Sequence, residues 1–501
     1  MLFNSMIFLW VFLPITLIIN YLISTLSFMS IRMRVVWKNF FLLCMSILFY
    51  AWGGVHYLFI LFSMILINYA GGYIIDKGVR SQWAKKFWLT VVIIINIGSL
   101  FFYKYFNMII DVIESLMIPG AGFAGVWDAM ISMEGTGALG IADIILPMGI
   151  SFFTFQAMSY VVDVYRGKAK LQENLFSFAL YVSLFPQLVM GPIVQYADVD
   201  LELRERRESL DLFVSGIKRF CYGLGKKMLI ADVLAVTADN VWKMETSELG
   251  ATAAWIGLLA YTFQIYYDFS GYSDMAIGIG RMLGFNFKEN FDYPYTSLSV
   301  AEFWRRWHIS LGAWFREYVY IPLGGNRHGV VRTCLNVFIV FALTGIWHGA
   351  NFTFIAWGLF YAVLQIIERL FLGKLLEKNP YKILNWMYTM GAVMLGWVYF
   401  RSDNIFQANE FVKQLFNFGH YNEEIFGDPL STTVFIAFAF AIPLCGFVQR
   451  PLKGLFEKIH SIKGLSYPVL TVDFAIQFVI LALAFGRSVG GTYSAFLYGA
   501  F

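Results

Sequence analysis

Histidine is the side chain whose ordinary pKa best suits proton transfer near neutrality, and the 501-residue chain has six: His56, His308, His328, His348, His420 and His460. Only His348 is enclosed by apolar sequence. It follows Phe341-Ala342-Leu343-Thr344-Gly345-Ile346-Trp347 and precedes Gly349-Ala350-Asn351-Phe352, at the join of two short apolar segments. An ionisable group inside a membrane is by default a functional hypothesis; the alternative is a neutral histidine donating one hydrogen bond to a backbone carbonyl. Gly345 and Gly349, four apart, clear one helix face beside it, so that a substrate or another backbone can come close. The same spacing is an ordinary helix-packing device.

His308 closes the run Glu302-Phe303-Trp304-Arg305-Arg306-Trp307-His308. Read as one helix, the run puts Trp304 and Arg305 on the side of His308 and lets Glu302 pair with Arg306 one turn on. Such a basic surface, made by Arg305 and Arg306 with Arg316 further along, would attract the phosphates of an anionic thioester donor, whether coenzyme A or a phosphopantetheine carrier. Lipid headgroups would be held by the same arginines.

The elements that must position these residues are membrane helices. Hydrophobic residues make up 59% of the chain and charged ones 14%, against roughly 25% charged in soluble domains. Apolar segments run over approximately 2–24, 39–52, 57–75, 87–106, 144–162, 175–195, 211–236, 251–270, 333–348, 352–371, 382–400, 431–449 and 469–486. Segment 175–195 is interrupted by Phe185-Pro186-Gln187 and Gly191-Pro192 and reads as a re-entrant or broken helix, tolerated at membrane depth only beside protein or a water-filled cavity. About eleven or twelve crossings remain. The acidic stretch 107–143 (Asp111, Glu114, Asp128, Glu134, Asp143) belongs outside and the basic segments 77–86, 166–170, 368–382 and 450–463 inside. The first apolar segment lacks a basic lead and is expected to stay, with its N-terminus outside. Residues 271–332 mix arginines with aromatics and read as an amphipathic stretch at the cytoplasmic interface. With no linker and no repeat, residues 1–501 read as one polytopic, all-α membrane domain.

Other chemistries lack their signatures. The net charge of +4 is spread through short connections, which suits topology and not nucleic acid. Cys44, Cys221, Cys334 and Cys445 stand too far apart for a zinc site or a disulfide framework and read as packing residues. Gly278-Ile279-Gly280-Arg281-Met282-Leu283-Gly284 misses the dinucleotide spacing and reads as helix packing; no Gly-x-Ser-x-Gly, Walker loop or HExxH occurs. Asp268, Asp274 and Asp292 have the chemistry to bind a cation, but their setting reads as a loop on a membrane surface, and no metal site is expected.

Taken together, several motifs resemble those of the membrane-bound O-acyltransferases, in particular the bacterial branch that acetylates polysaccharides such as alginate. They are Pro147-Met148-Gly149-Ile150-Ser151-Phe152-Phe153-Thr154-Phe155-Gln156, Asp268-Phe269-Ser270-Gly271-Tyr272-Ser273-Asp274, Phe303-Trp304-Arg305-Arg306-Trp307-His308-Ile309-Ser310-Leu311, Phe315 to Gly325, and Trp347-His348-Gly349. The likeness is densest over 146–361. It implies that His348 matches the family's principal histidine and His308 its second polar site residue, within helices that surround a tunnel with a cytoplasmic donor at one mouth and an acceptor at the other. On that basis Arg305, Arg306, Trp304 and Arg316 are candidates for donor binding, and Trp347, Gly349, Asn351 and Gln187 for tunnel lining or structural support. The resemblance further implies acetyl-CoA as co-substrate without a tightly bound cofactor, a bacterial cytoplasmic (inner) membrane location, and an extracytoplasmic SGNH-type acetyltransferase or other polysaccharide-modification partner. The alternatives are D-alanyl transfer to teichoic acid from an acyl-carrier protein and, in another class, a proton-coupled transporter or channel.

Overall fold

The computed structural model of the chain describes residues 1–117, 144–419, 432–460 and 466–489. Most of the acidic stretch (118–143), together with His420 and 461–463, falls outside them. The described residues form no strand. In chain order the α-helices are α1 (Leu13–Thr25), α2 (Ile31–Ala51), α3 (Tyr57–Tyr73), α4 (Gln82–Met117), α5 (Ile150–Tyr165), α6 (Leu175–Ser183), α7 (Phe185–Leu188), α8 (Tyr196–Glu205), α9 (Leu210–Gly225), α10 (Asp232–Lys243) and α11 (Ala251–Met282). There follow α12 (Val300–Arg306), α13 (Ile309–Phe315), α14 (Gly329–His348), α15 (Phe352–Ile367), α16 (Gly373–Lys378), α17 (Lys382–Arg401), α18 (Ile405–Gln414), α19 (Thr432–Ile442), α20 (Gln449–His460) and α21 (Ser466–Val489).

Seven helical stretches among the described residues are long and apolar enough to cross a membrane: Phe8–Thr25, Ile31–Ala51, Tyr57–Gly78, Gln82–Ile110, Gly329–His348, Phe352–Lys378 and Leu470–Val489. At 1.5 Å per residue even 18 residues span about 27 Å, close to the hydrocarbon thickness. Two other segments expected to cross, 144–162 and 251–270, and the interrupted segment 175–195 lie largely inside the protein. Every residue from Ile150 to Val164 is buried, as is every residue from Ser177 to Tyr196. A helix covered on all sides needs no lipid-facing stripe, so these segments form a core behind the lipid-facing ones.

The interrupted segment is broken in the structure. Asn174 caps α6 by accepting from the Phe176 and Ser177 amides, α6 stops at Ser183, and α7 begins with the Pro186 turn. Gly191 then takes φ +107° with the Tyr272 ring 3.1 Å from where a Cβ would stand, a backbone that favours glycine. Gln187 braces the break: its side-chain amide donates to the Tyr181 carbonyl at 2.7 Å, and its own carbonyl accepts from Gln156 at 3.3 Å.

The region 271–332 departs from the interfacial expectation. α11 continues to Met282 and is buried almost throughout, so Asp268 and Asp274 are core residues and not loop residues. They survive burial because cations come from the helix packed alongside: Lys227 lies 2.7 Å from both Asp268 and Asp232, and Asp274 meets Arg219 and Lys226 at 2.7 Å. Glycines permit that approach, since Gly216 and Gly223 of α9 face Gly278 and Gly271 of α11 so closely that a Cβ on any of them would stand 2.6–2.8 Å from the opposite carbonyl. The packing reading of Gly278 holds. Among the cysteines, Cys221 and Cys445 are buried as packing residues, whereas Cys44 is exposed.

Candidate active site

His308 does not share a helical face with Trp304 and Arg305. Ser299 caps the start of α12, its Oγ accepting from the Glu302 amide at 3.0 Å, and Glu302 Oε2 accepts from the Leu298 amide at 2.9 Å. That helix ends at Arg306, and His308 turns the chain with φ +46° and ψ +54° before α13 begins. It is one of two non-glycine residues with positive φ among the described residues; a strained backbone of this kind persists where the surroundings over-determine it. The turn redirects the imidazole from the arginine face to the interior, where His308 is 1% exposed.

Asn290 fixes it there. Its side-chain Oδ1 accepts from the Ser310 amide at 3.2 Å and the Ser310 hydroxyl at 2.8 Å, and lies 3.1 Å from His308 Nδ1. Because the backbone amide can only donate, it sets which end of the Asn290 amide faces the ring; Nδ1 therefore carries the proton and Nε2 presents the lone pair. Asn290 Nδ2 donates to Ser273 Oγ at 3.1 Å, tying the turn to α11. Burial pushes the His308 imidazole far below its ordinary value, to about 3. It is a neutral group in this fold.

His348 is the last residue of α14, 2% exposed. The Gly345 face is filled by a neighbouring helix and not by an open space: a Cβ on Gly345 would stand 2.5 Å from the Phe354 carbonyl, and one on Gly358 2.5 Å from the Phe341 carbonyl. α14 and α15 thus form a tight hairpin. Asn351 closes its turn by capping α15 at the Thr353 amide (2.9 Å) and donating to the Asp403 carbonyl at 2.5 Å. The imidazole is boxed by rings: Trp347, Trp357 and Phe400 each have centroids 5.0 Å away, and Phe354 is at 6.0 Å.

Trp347 joins the two histidines, its ring 5.0 Å from His348 and 6.5 Å from His308. Phe152 and Phe155 of α5 back it at 5.8 and 5.4 Å. The two imidazoles, forty residues apart in sequence, therefore flank one indole in a water-poor interior. A cleft lined by Pro192, Gln195, Asp198, Lys288, Glu289 and Ser310, among others, reaches the His308 turn from the broken segment.

The candidate donor-binding residues scatter. Trp304 packs into the core against Phe341, Trp357 and Tyr361 at 4.9–5.5 Å, behind the His348 box. Arg306 is engaged by Glu302 at 2.7 Å, as the spacing implied, and by Asp292 at 3.7 Å. Arg305 and Arg316 are exposed. Three residues that bear on the histidines had no sequence signal: Asn290, and Lys104 and Tyr105, whose side chains reach the end of α14 from α4.

Comparison with known proteins places the chain in a family. The family described as MBOAT, membrane-bound O-acyltransferase, matches residues 172–406, an interval that holds the broken segment and both histidines. A protein of Pseudomonas putida named probable alginate O-acetylase AlgI is 41% identical over 84% of this chain and 81% of its own length. A peptidoglycan O-acetyltransferase of Helicobacter pylori is 32% identical over 82% of this chain and 79% of its own. A teichoic acid D-alanyltransferase of Bacillus subtilis is 29% identical over 45% of this chain and 59% of its own. On the fold, the paired histidines and these likenesses, the chain belongs to the membrane-bound O-acyltransferase family and is a multi-pass membrane O-acyltransferase.

Proposed function

We propose that this enzyme moves acetyl groups from a cytoplasmic thioester, acetyl-CoA, to hydroxyls of an exported or cell-surface polysaccharide such as alginate, working in the bacterial cytoplasmic membrane. His348 is the general base. It takes the proton of the attacking hydroxyl, or of a relay group, as that oxygen bonds to the thioester carbonyl carbon; the carbon–sulfur bond then breaks and the thiolate leaves with the proton from His348. His308 supports it as a neutral group at the oxyanion or as an orienting partner. General-base assistance is typically worth about 10²- to 10⁴-fold.

The observation that carries this reading is the pair of buried histidines flanking Trp347, one of them ending a helix long enough to cross the membrane. Twenty residues of α14 rise about 30 Å from the end that holds Arg332, which supports a reading in which His348 serves the outward-bound acceptor. Acetylation is favoured over D-alanylation by extent of likeness, since the two O-acetylating relatives match more than four-fifths of this chain and the alanylating one less than half. An SGNH-type extracytoplasmic partner would choose the final sugar.

Purified enzyme in proteoliposomes, supplied with radiolabelled acetyl-CoA inside and polysaccharide with its partner fraction outside, tests the proposal. Alkali-labile label on the glycan supports it. Label that enters only from a D-alanyl carrier protein would replace it with the alanyl reading.

A further inference from the structure

α14 stops at His348, so the carbonyls of its last turn have no partner within the helix. At membrane depth such groups must be satisfied by protein or by cavity water. Two consecutive residues of α4 meet four successive carbonyls. Tyr105 Oη donates to the Ile346 carbonyl at 2.6 Å and lies 3.0 Å from that of Gly349. Lys104 Nζ donates to the Trp347 carbonyl and, at 3.1 Å, to the carbonyl of His348 itself. The same ammonium stands 5.4 Å from the Trp347 ring centroid.

Lys104 lies inside Gln82–Ile110, a stretch long and apolar enough to cross the membrane, where a lysine is expensive and rare. Packing alone would be served by an apolar residue. What Lys104 meets is the negative end of α14, where a cation is favoured. Beyond His348 the chain leaves the helix at once through Gly349, and Asn351 pins it again by capping α15 and binding the Asp403 carbonyl. Rings enclose the His348 imidazole, and the backbone that carries it is held where Lys104 and Tyr105 meet the turn.

We propose that Lys104 and Tyr105 are positioning residues of the transfer reaction: they clamp the terminal turn of α14 and thereby aim His348. The inference rests on the role of His348 proposed above. A shift of about 1 Å in a catalytic group can lower turnover roughly 10²-fold without changing how substrate binds.

The test compares Lys104→Met, Lys104→Arg, Tyr105→Phe and His348→Ala, each purified in detergent, by kcat and thioester KM. Lys104→Met and Tyr105→Phe are expected to lower kcat by about 10- to 100-fold with KM within about twofold of wild type, and Lys104→Arg, which restores a cationic donor, to recover most of the loss. Wild-type kcat in both donor-loss variants, or a defect confined to KM, overturns the clamp if His348→Ala is inactive. An active His348→Ala would instead overturn the role of His348 itself. Should Lys104→Met aggregate on size exclusion, Tyr105→Phe, which loses one hydroxyl, decides the matter.

Discussion

Replacing Asn290 by alanine should cost far more activity than its cost in stability explains. Its side chain makes four contacts: to the Ser310 amide (3.2 Å), the Ser310 hydroxyl (2.8 Å), His308 Nδ1 (3.1 Å) and Ser273 Oγ (3.1 Å). At about 1 kcal/mol net for each hydrogen bond, the loss is about 4 kcal/mol. The Ser310 hydroxyl, 3.4 Å from Nδ1, can turn to accept from the ring and recover part of it, which leaves about 2–3 kcal/mol. Activity should respond differently, because Nδ1 no longer has the amide oxygen that fixes its proton, and Nε2 ceases to present a lone pair reliably. The expected fall in turnover is about 10²-fold. Ser310→Ala is the matched control: it removes the bonds to the Ile193 amide (2.9 Å) and to Asn290, about 2 kcal/mol, but leaves Asn290 on His308. Its turnover should stay within about threefold of wild type. The assays are thermal unfolding in detergent and the initial rate of labelled acetyl transfer. If both variants lose activity in proportion to stability, Asn290 does not act through the His308 tautomer and that part of the mechanism is wrong.

Acid should destabilise the protein through His308. Its folded pKa of about 3 lies below the ordinary 6.5, so between those values the unfolded chain binds the extra proton, and stability falls as pH drops below 6.5. At about 1.4 kcal/mol per unit the loss between pH 6.5 and 5 is on the order of 2 kcal/mol. His308→Asn, which tolerates the left-handed backbone, should flatten the unfolding-temperature profile by that amount; parallel profiles would show that His308 is not held neutral by burial. Gly345→Val should separate α14 from α15, costing about 3 kcal/mol or more, because its Cβ would meet the Phe354 carbonyl at 2.5 Å. Gly391→Ala, where a Cβ meets nothing within 4 Å, should instead add about 0.5–1 kcal/mol, and equal unfolding temperatures for the two variants would refute the packing argument.

The sequence carried the features whose cause is local. Apolar runs of membrane length, the Pro186 and Gly191 interruption, and the Glu302–Arg306 pair all depend on neighbours within one or two turns. Features whose cause is distant did not show. Asp268 and Asp274 look like surface carboxylates because the cations that permit their burial, Lys227, Arg219 and Lys226, lie 41 to 55 residues away. His308 looks helical until the Asn290 contact, eighteen residues upstream, pulls it into a left-handed turn. Lys104 and Tyr105 read as ordinary members of an apolar helix because their partners are backbone carbonyls more than 240 residues on, and a carbonyl leaves no mark in sequence. The same reason accounts for Gly345, whose spacing with Gly349 fits a substrate face and a packing face alike, and whose neighbour is α15.

The role of His348 is tested most directly by single-turnover transfer of labelled acetyl from acetyl-CoA, measured on purified wild-type and His348→Ala protein with matched folding and donor affinity. The variant is expected to bind the donor and to transfer no acetyl above the uncatalysed rate. Transfer at a rate near wild type by the variant would contradict it.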